Sequence, residues 1–449
     1  MPTRTTSVAF VTLARPTFDM AYARDIQQRS VTLLRQIAGI SVIAPDDVLV
    51  EPPDARTLGE DLARDRPDLL IIQSGTFALG NLAVELAQAV SAPILLWAVP
   101  EPPLTSGALR SNSLVGMNVN ASNLYKLGRH VRYLIGAPET PSVQAGLRQA
   151  CRVAAAIRVL SQTRIGLVGS HAIGFFNLAV NQMELRKRFG VEVHTIGLQD
   201  AFASASSLSD EETAAALVEL QALYPVRDEV TTDGMEKMAR QYGGLRRIAA
   251  TNQLDALAVR CWPEWGAQYG IGACGSVSAL NSAGITTGCE GDVDGTVTMI
   301  LGRELSGMPS YLSDFITADT EENTALFWHL GCAACQLAEW PEKRALHSHF
   351  AGGKGITAGF SLKPGRITIA RLGNDGHTYR LFVTTGEAMS TEMLVKGVLM
   401  KVHFDAPLPK LLDLIMENGI EHHYCVMYGD HRDALLAFAA WKQVPVLAV

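Results

Sequence analysis

The chain has 449 residues, 48% of them hydrophobic and 18% charged, with 39 glycines and a formal net charge of -7. That length gives room for two or three cores, the composition excludes a disordered or fibrous chain, and the acidic balance excludes a basic field for nucleic acid or an anionic membrane. Seven cysteines, an odd number spread over a long chain, do not make a disulfide framework, and no apolar run approaches the ~20 residues that span a bilayer. The expectation is a cytoplasmic protein without nucleic-acid or membrane partners.

Taken in order, residues 7–14 (SVAFVTLA) read as a buried strand and 19–37 as an amphipathic helix. Further strands are expected at 41–44, 68–73, 93–99 and 114–119, separated by helices such as 58–63 and 82–89. Strands alternating with helices imply a parallel sheet covered on both faces, so residues 1–140 read as a doubly wound domain. Gln73 opens the loop QSGTF (73–77) at a strand's C-terminal end, where such sheets hold ligands; an ordinary glycine turn is an equal reading.

A helix over 142–160 leads into a fresh strand at 164–169 and a second α/β domain over 141–340. Its helices are expected at 177–189, 210–224 and 234–250 and its strands at 192–197 and 257–261, the last running into Trp262-Pro263-Glu264. Beyond Pro341 the pattern becomes strands at 359–362, 366–372, 378–385 and 398–404 with a hairpin turn at 373–377. Helices at 408–418 and 431–441 then flank a strand at 423–428. Residues 341–449 thus read as an antiparallel β domain, barrel or sandwich.

The chemistry concentrates in 287–314, TGCEGDVDGTVTMILGRELSGMPSYLSD. Glu290 follows a β-prone run, a buried helix is expected over 293–305, and Asp314 lies in the next strand, 311–316. In a strand-helix-strand unit both strand ends reach one sheet edge, so the two carboxylates can converge. Trp262 and Glu264, at a strand end just before, are candidates for substrate contact; a capped strand end is an equal reading. His422 and His423 stand side by side at the mouth of a strand, where alternation lets only one enter a given cleft. Carboxylates with an imidazole suit a divalent ion such as Mn²⁺, Mg²⁺ or Co²⁺. Two further motifs are weak. GIGACG (270–275) lacks the strand directly before it that a dinucleotide site needs, and the single pair Cys332/Cys335 reads as small residues packed in a helix.

CEGDVDGTVTMILGRELSG with SYLSDF, then FWHLGCAA, then HHYCVMYGDH, occur in that order and together resemble the L-fucose isomerase and L-arabinose isomerase superfamily. The resemblance implies two Rossmann-like doubly wound domains followed by a C-terminal β-barrel domain. It also implies a metal-dependent aldose-ketose isomerase acting on a sugar through an enediolate. Glu290 and Asp314 fall on the family's metal-binding acid/base pair, His423 on its C-terminal metal ligand, and His329 on a further ligand of the arabinose branch. Members are trimers or hexamers whose pockets a neighbour completes; Arg15 and the 73–77 loop are the candidates here. A non-catalytic sugar-binding protein and a metal-dependent aldolase or epimerase remain as alternatives. An acidic or sulfonated sugar would need a basic pocket, for which no Arg/Lys cluster stands out.

Overall fold

The structure, a computed structural model, describes residues 5–104, 107–349 and 355–449. Contacts divide the chain into two units, Met1–Arg158 with Ala434–Val444, and Val159–Asp433 with Pro445–Val449.

In the first unit the apolar runs form strands β1 (Thr6–Leu13), β2 (Ile40–Ile43), β3 (Leu69–Ser74), β4 (Ile94–Ala98) and β5 (Val131–Ile135). They make one parallel sheet in the order β2-β1-β3-β4-β5. Alternate residues of β1 and β3 feed two cores, Val11 and Ile72 in one, Phe10 and Ile71 in the other. That is the covered parallel sheet the alternation implies. One expectation fails: 114–119 is no strand but part of the helix Ser113–Lys126. Its buried residues Ser113, Gly116, Met117, Asn120 and Leu124 recur at helical spacing, and that periodicity outweighs the β-prone look of LVGMNV.

The second unit holds another parallel sheet, from β6 (Arg164–Val168), β7 (Glu192–Ile196), β8 (Ala256–Val259) and β9 (Thr286–Cys289), ordered β7-β6-β8-β9. It also holds a nine-stranded sheet. The strands of that sheet are β10 (Tyr311–Asp319), β11 (Thr324–His329), β12 (Ala345–Ser348), β13 (Ile356–Ser361), β14 (Gly365–Asn374), β15 (Tyr379–Met389), β16 (Val398–Phe404), β17 (His423–Tyr428) and β18 (Val446–Ala448). Their order is β12-β13-β16-β11-β10-β17-β14-β15-β18, and β15 also pairs with β16. The sheet is mixed rather than purely antiparallel, because β13–β16 and β15–β18 run parallel.

The carboxylate-bearing segment does not form the single-sheet unit expected from its sequence. β9 belongs to the parallel sheet and β10 to the mixed one. The helix between them, Val293–Ser306, is buried along most of its length and packs on β8 and β9 as well as on β14 and β17. A helix apolar on most of its faces needs cover from both sheets, so the chain leaves one and enters the other. Among the described residues no helix is long and apolar enough to cross a membrane.

Candidate active site and metal centre

Glu290 leaves the end of β9 with a left-handed backbone, φ 59°, followed by Gly291 at φ 71°. Such a conformation costs a non-glycine residue ~1–2 kcal/mol and persists only when its surroundings enforce it. They do so here: the Glu290 carbonyl accepts the Ala172 amide at 2.9 Å, and the Gly291 amide donates to the Val259 carbonyl at 3.0 Å. The turn aims the carboxylate so that Oε1 accepts the Trp262 indole N–H at 3.0 Å while Oε2 lies 3.3 Å from His422 Nε2 and 3.5 Å from His423 Nε2. Burial opposes the charge on Glu290, yet His422, His423 and His329 outweigh it and hold the carboxyl below its usual range.

Asp314 comes from the middle strand of three. On β10 it stands directly across from His423 of β17 on one side and Trp328 of β11 on the other, and His329 is the last residue of β11. His423 is fully buried, with Nε2 3.7 Å from Asp314 Oδ1. Its Nδ1 lies 2.9 Å from Asp292 Oδ2, so Nδ1–H donates there and the Nε2 lone pair faces the carboxylates. Asp292 also caps the helix Val293–Ser306 by accepting the Gly295 amide, and it takes both ends of the buried Arg371 guanidinium at 2.5 and 3.1 Å. Although burial opposes its charge, Arg371 and His423 keep the Asp292 carboxyl well below the ordinary range.

Three buried atoms here have no hydrogen-bond partner: Asp314 Oδ1, His329 Nδ1 and His423 Nε2. Buried polar atoms are seldom left so, and these three are metal-ligand types. Asp314, His329 and His423 offer ligand atoms all within 4.8 Å of one another, as do Glu290, His422 and His423. The donor set, carboxylate oxygens with imidazole nitrogens, fits a hard or borderline divalent ion. A cavity of about 510 Å³ opens over the group, walled by Trp262, Trp328, Asp314 and Glu290. That is the size of a small-molecule site.

Adjacent strand residues diverge, yet both histidines reach Glu290, because His422 precedes β17 and escapes strand alternation. Asn177 Nδ2 stands 3.1 Å from His422 Nδ1 and orients the ring. Trp262 is 41% exposed and lines the cavity, whereas Glu264 is clamped by the Arg260 guanidinium, Nε to Oε2 at 2.9 Å. In the first unit, Gln73 is fully buried with its amide engaged by Thr12 and Ser30 at 3.0 and 2.8 Å. Arg15 is half-buried just after β1, and its backbone amide donates to Thr76 Oγ1.

The Cys332/Cys335 pair is not packed in a helix as its composition suggests. Cys332 sits in a loop at φ 65°, and only a single turn, Cys335–Leu337, follows. Gly331 lets that loop approach the Cys274 backbone, where a Cβ would meet the carbonyl at 2.5 Å. Cys332 thereby joins Cys289 and His329 within 4.8 Å, a cluster no sequence spacing announced. Burial opposes charge on both, but the Cys289 thiol and the imidazole pull the Cys332 thiol down to about 6, and Cys332 with the nearby carboxylates raises His329 to about 10.

No family model matches the chain. Curated relatives named sulfoquinovose isomerase do. Those from Priestia aryabhattai and Clostridium sp. (strain MSTE9) are each 31% identical, over 435 and 437 residues, covering 96% of this chain and 96% of the relative. The one from Alkalicoccus urumqiensis is 30% identical over 450 residues, 99% of each chain. Among solved structures, a periplasmic solute-binding protein from Actinobacillus succinogenes 130z with bound D-allose is 13% identical over 68% of this chain and 85% of that one, with a TM-score of 0.19, too low to carry an argument. Near-complete coverage by isomerases removes the non-catalytic sugar-binder, aldolase and epimerase alternatives: the chain belongs to the sulfoquinovose isomerase family and is an aldose-ketose isomerase.

Proposed function

We propose that this enzyme interconverts sulfoquinovose, a 6-sulfonated aldohexose, and its ketose through an enediolate, with Glu290 and Asp314 as the acid/base pair. The observation that carries the site assignment is the set of unpartnered buried atoms, Asp314 Oδ1, His329 Nδ1 and His423 Nε2, the last of them 3.5 Å from Glu290 Oε2. Glu290, Asp314 and His423 would hold a divalent ion, with His329 as a further ligand. The chemistry supplied there by Mn²⁺, Mg²⁺ or Co²⁺ is polarisation of the sugar's carbonyl and neighbouring hydroxyl oxygens, which acidifies the intervening C–H.

Glu290, kept ionised by the surrounding imidazoles, accepts the C2 proton and returns it at C1. Asp314, from the facing strand, moves the hydroxyl proton between O1 and O2. Two carboxylates are needed because one accepts while the other donates. Trp262 positions Glu290 through its indole N–H and walls the pocket, which excludes water from the enediolate.

The substrate reading rests on the relatives' names. Among the described lining residues of the cavity none is Lys or Arg. We therefore assign the sulfonate's cation to Arg15 of a neighbouring copy in a trimer or hexamer, with Gln73 supporting the 73–77 loop. The same likeness to the fucose isomerase superfamily supports the division into 1–140, 141–340 and 341–449. It also supports reading the ring of pairings β16-β11-β10-β17-β14-β15 as the family's barrel, to which β10 and β11 are contributed from before residue 341.

The test is turnover of sulfoquinovose and glucose with Mn²⁺ in deuterated water. We expect isomerisation of the sulfonated sugar with deuterium entering at C1 of the ketose and, on reversal, at C2 of the aldose, abolished by EDTA and restored by Mn²⁺. Equal turnover of glucose would remove the substrate, and absence of exchange would replace the enediolate by a hydride shift.

A further inference from the structure

The cavity has a second set of ligand atoms on its floor, different in chemistry from the first. Cys261 just after β8, Cys274 at the start of the helix Cys274–Ser282, and Cys289 at the end of β9 all line it. All seven cysteines of the chain are reduced and buried. Cys289 Sγ lies 2.8 Å from Cys261 Sγ, and Cys289, His329 and Cys332 present ligand atoms within 4.8 Å of one another. On the far side Cys274 Sγ is 3.7 Å from His349 Nε2. Thiols from four separate segments, with an imidazole three residues before one of them, therefore meet in a single place that the sugar pocket reaches.

Isomerisation uses none of these thiols: a sugar enediolate needs oxygen ligands and carboxylates. Thiolates are soft donors that select Zn²⁺ or Cu⁺ over Mn²⁺ and Mg²⁺, and three N/S protein ligands hold such an ion with its fourth position open. We propose that Cys289, Cys332 and His329, whose ligand atoms lie within 4.8 Å of one another, form a second metal site, specific for a thiophilic ion of the zinc class, beside the carboxylate site. Each cysteine loses its proton to solvent as the ion enters, and the ion's charge offsets the thiolates left in the buried floor. The two sites share His329. An ion in the thiolate site draws that imidazole toward Cys289 and Cys332, so Zn²⁺ weakens the carboxylate site; this consequence, unlike the thiolate site itself, rests on His329 being a ligand there.

Chelator-treated protein is titrated with Co²⁺ and with Zn²⁺, each alone. Wild type is expected to show a thiolate-to-Co²⁺ charge-transfer band in the near ultraviolet and to retain a Zn²⁺ equivalent that Glu290→Gln/Asp314→Asn also retains. Cys289→Ser and Cys332→Ser should each lose the band and at least tenfold in Zn²⁺ affinity while still binding Mn²⁺. Absence of the band in wild type would overturn the site without any variant having to fold. A count of five rather than seven free thiols in denaturant would overturn it too, since Cys261 and Cys289 would then be a disulfide. Failure of sulfoquinovose turnover would leave the band unchanged, so the two readings fall separately.

Discussion

Glu290 and Asp292 are separated by one glycine and do different work. Glu290 faces the cavity, while Asp292 faces His423 and Arg371 from below. Glu290→Gln keeps the indole hydrogen bond from Trp262 but cannot accept a proton, so kcat should fall by ~10²–10⁴ with the fold intact, read by steady-state assay beside circular dichroism. Asp292→Asn retains a side-chain oxygen for the helix cap yet removes the charge that orients His423. Mn²⁺ affinity should drop by ~10–100-fold in calorimetric titration. Asp292→Ala goes further and takes the closest carboxylate from an Arg371 that is 1% exposed, leaving Glu421 at 3.6 Å as its ion-pair partner among the described residues. A cost of ~3–5 kcal/mol in urea unfolding is expected there. If Asn and Ala variants bound Mn²⁺ like wild type, Asp292 would be a structural cap and nothing more.

At the scale of elements, much of the site was legible because hydrophobic runs with clear ends carried it. The strand His423–Tyr428 and the helix Val293–Ser306 lie where the pattern of apolar residues put them, and each bears or abuts a site residue. The pairing of β10 with β17, which sets Asp314 opposite His423, joins segments more than a hundred residues apart and has no local signature. For the same reason the thiol cluster was invisible: its members come from four segments at no recurring interval. His422 stands one residue before the strand begins, so strand alternation does not govern where its ring points. The β9 turn was legible as glycine-rich but not as strained. At Gly291 an added Cβ would meet the Ser170 carbonyl oxygen at 2.2 Å, and φ is 71°. Gly291→Ala must therefore shift backbone against backbone, and we expect a loss of at least ~2 kcal/mol together with displaced Glu290 and reduced kcat. An alanine variant of full stability and activity would show that the turn is looser than its hydrogen bonds indicate.

At the scale of the whole molecule, the second unit joins its two sheets through a helix whose first turn carries two buried acids of opposite character. Asp292 is held ionised by Arg371, but Asp294, two residues on, is pushed by burial up to about 7 even though Arg371, Tyr379 and Asn374 favour its charge. Tyr379 and Asn374 each donate to it at 2.8 Å, tying β14 and β15 to the helix. Unfolded, Asp294 would titrate near 3.8. Between that value and about 7 the folded chain keeps a proton that the unfolded chain releases, so stability falls as pH rises through this window. The contribution is complete below the lower value and lost above the upper one. Asp292, with its pKa depressed, acts in the opposite sense, and its contribution disappears only as pH drops below the ordinary carboxylate range. From about pH 5 to about pH 7 the Asp294 effect therefore dominates this pair, by at most ~3 kcal/mol. Urea midpoints of wild type should decline over that interval, while Asp294→Asn, which cannot ionise, should show a flatter profile and lie closest to wild type on the acid side. Parallel profiles for the two proteins would mean that Asp294 is already ionised near neutrality and that Arg371 neutralises both acids of the turn.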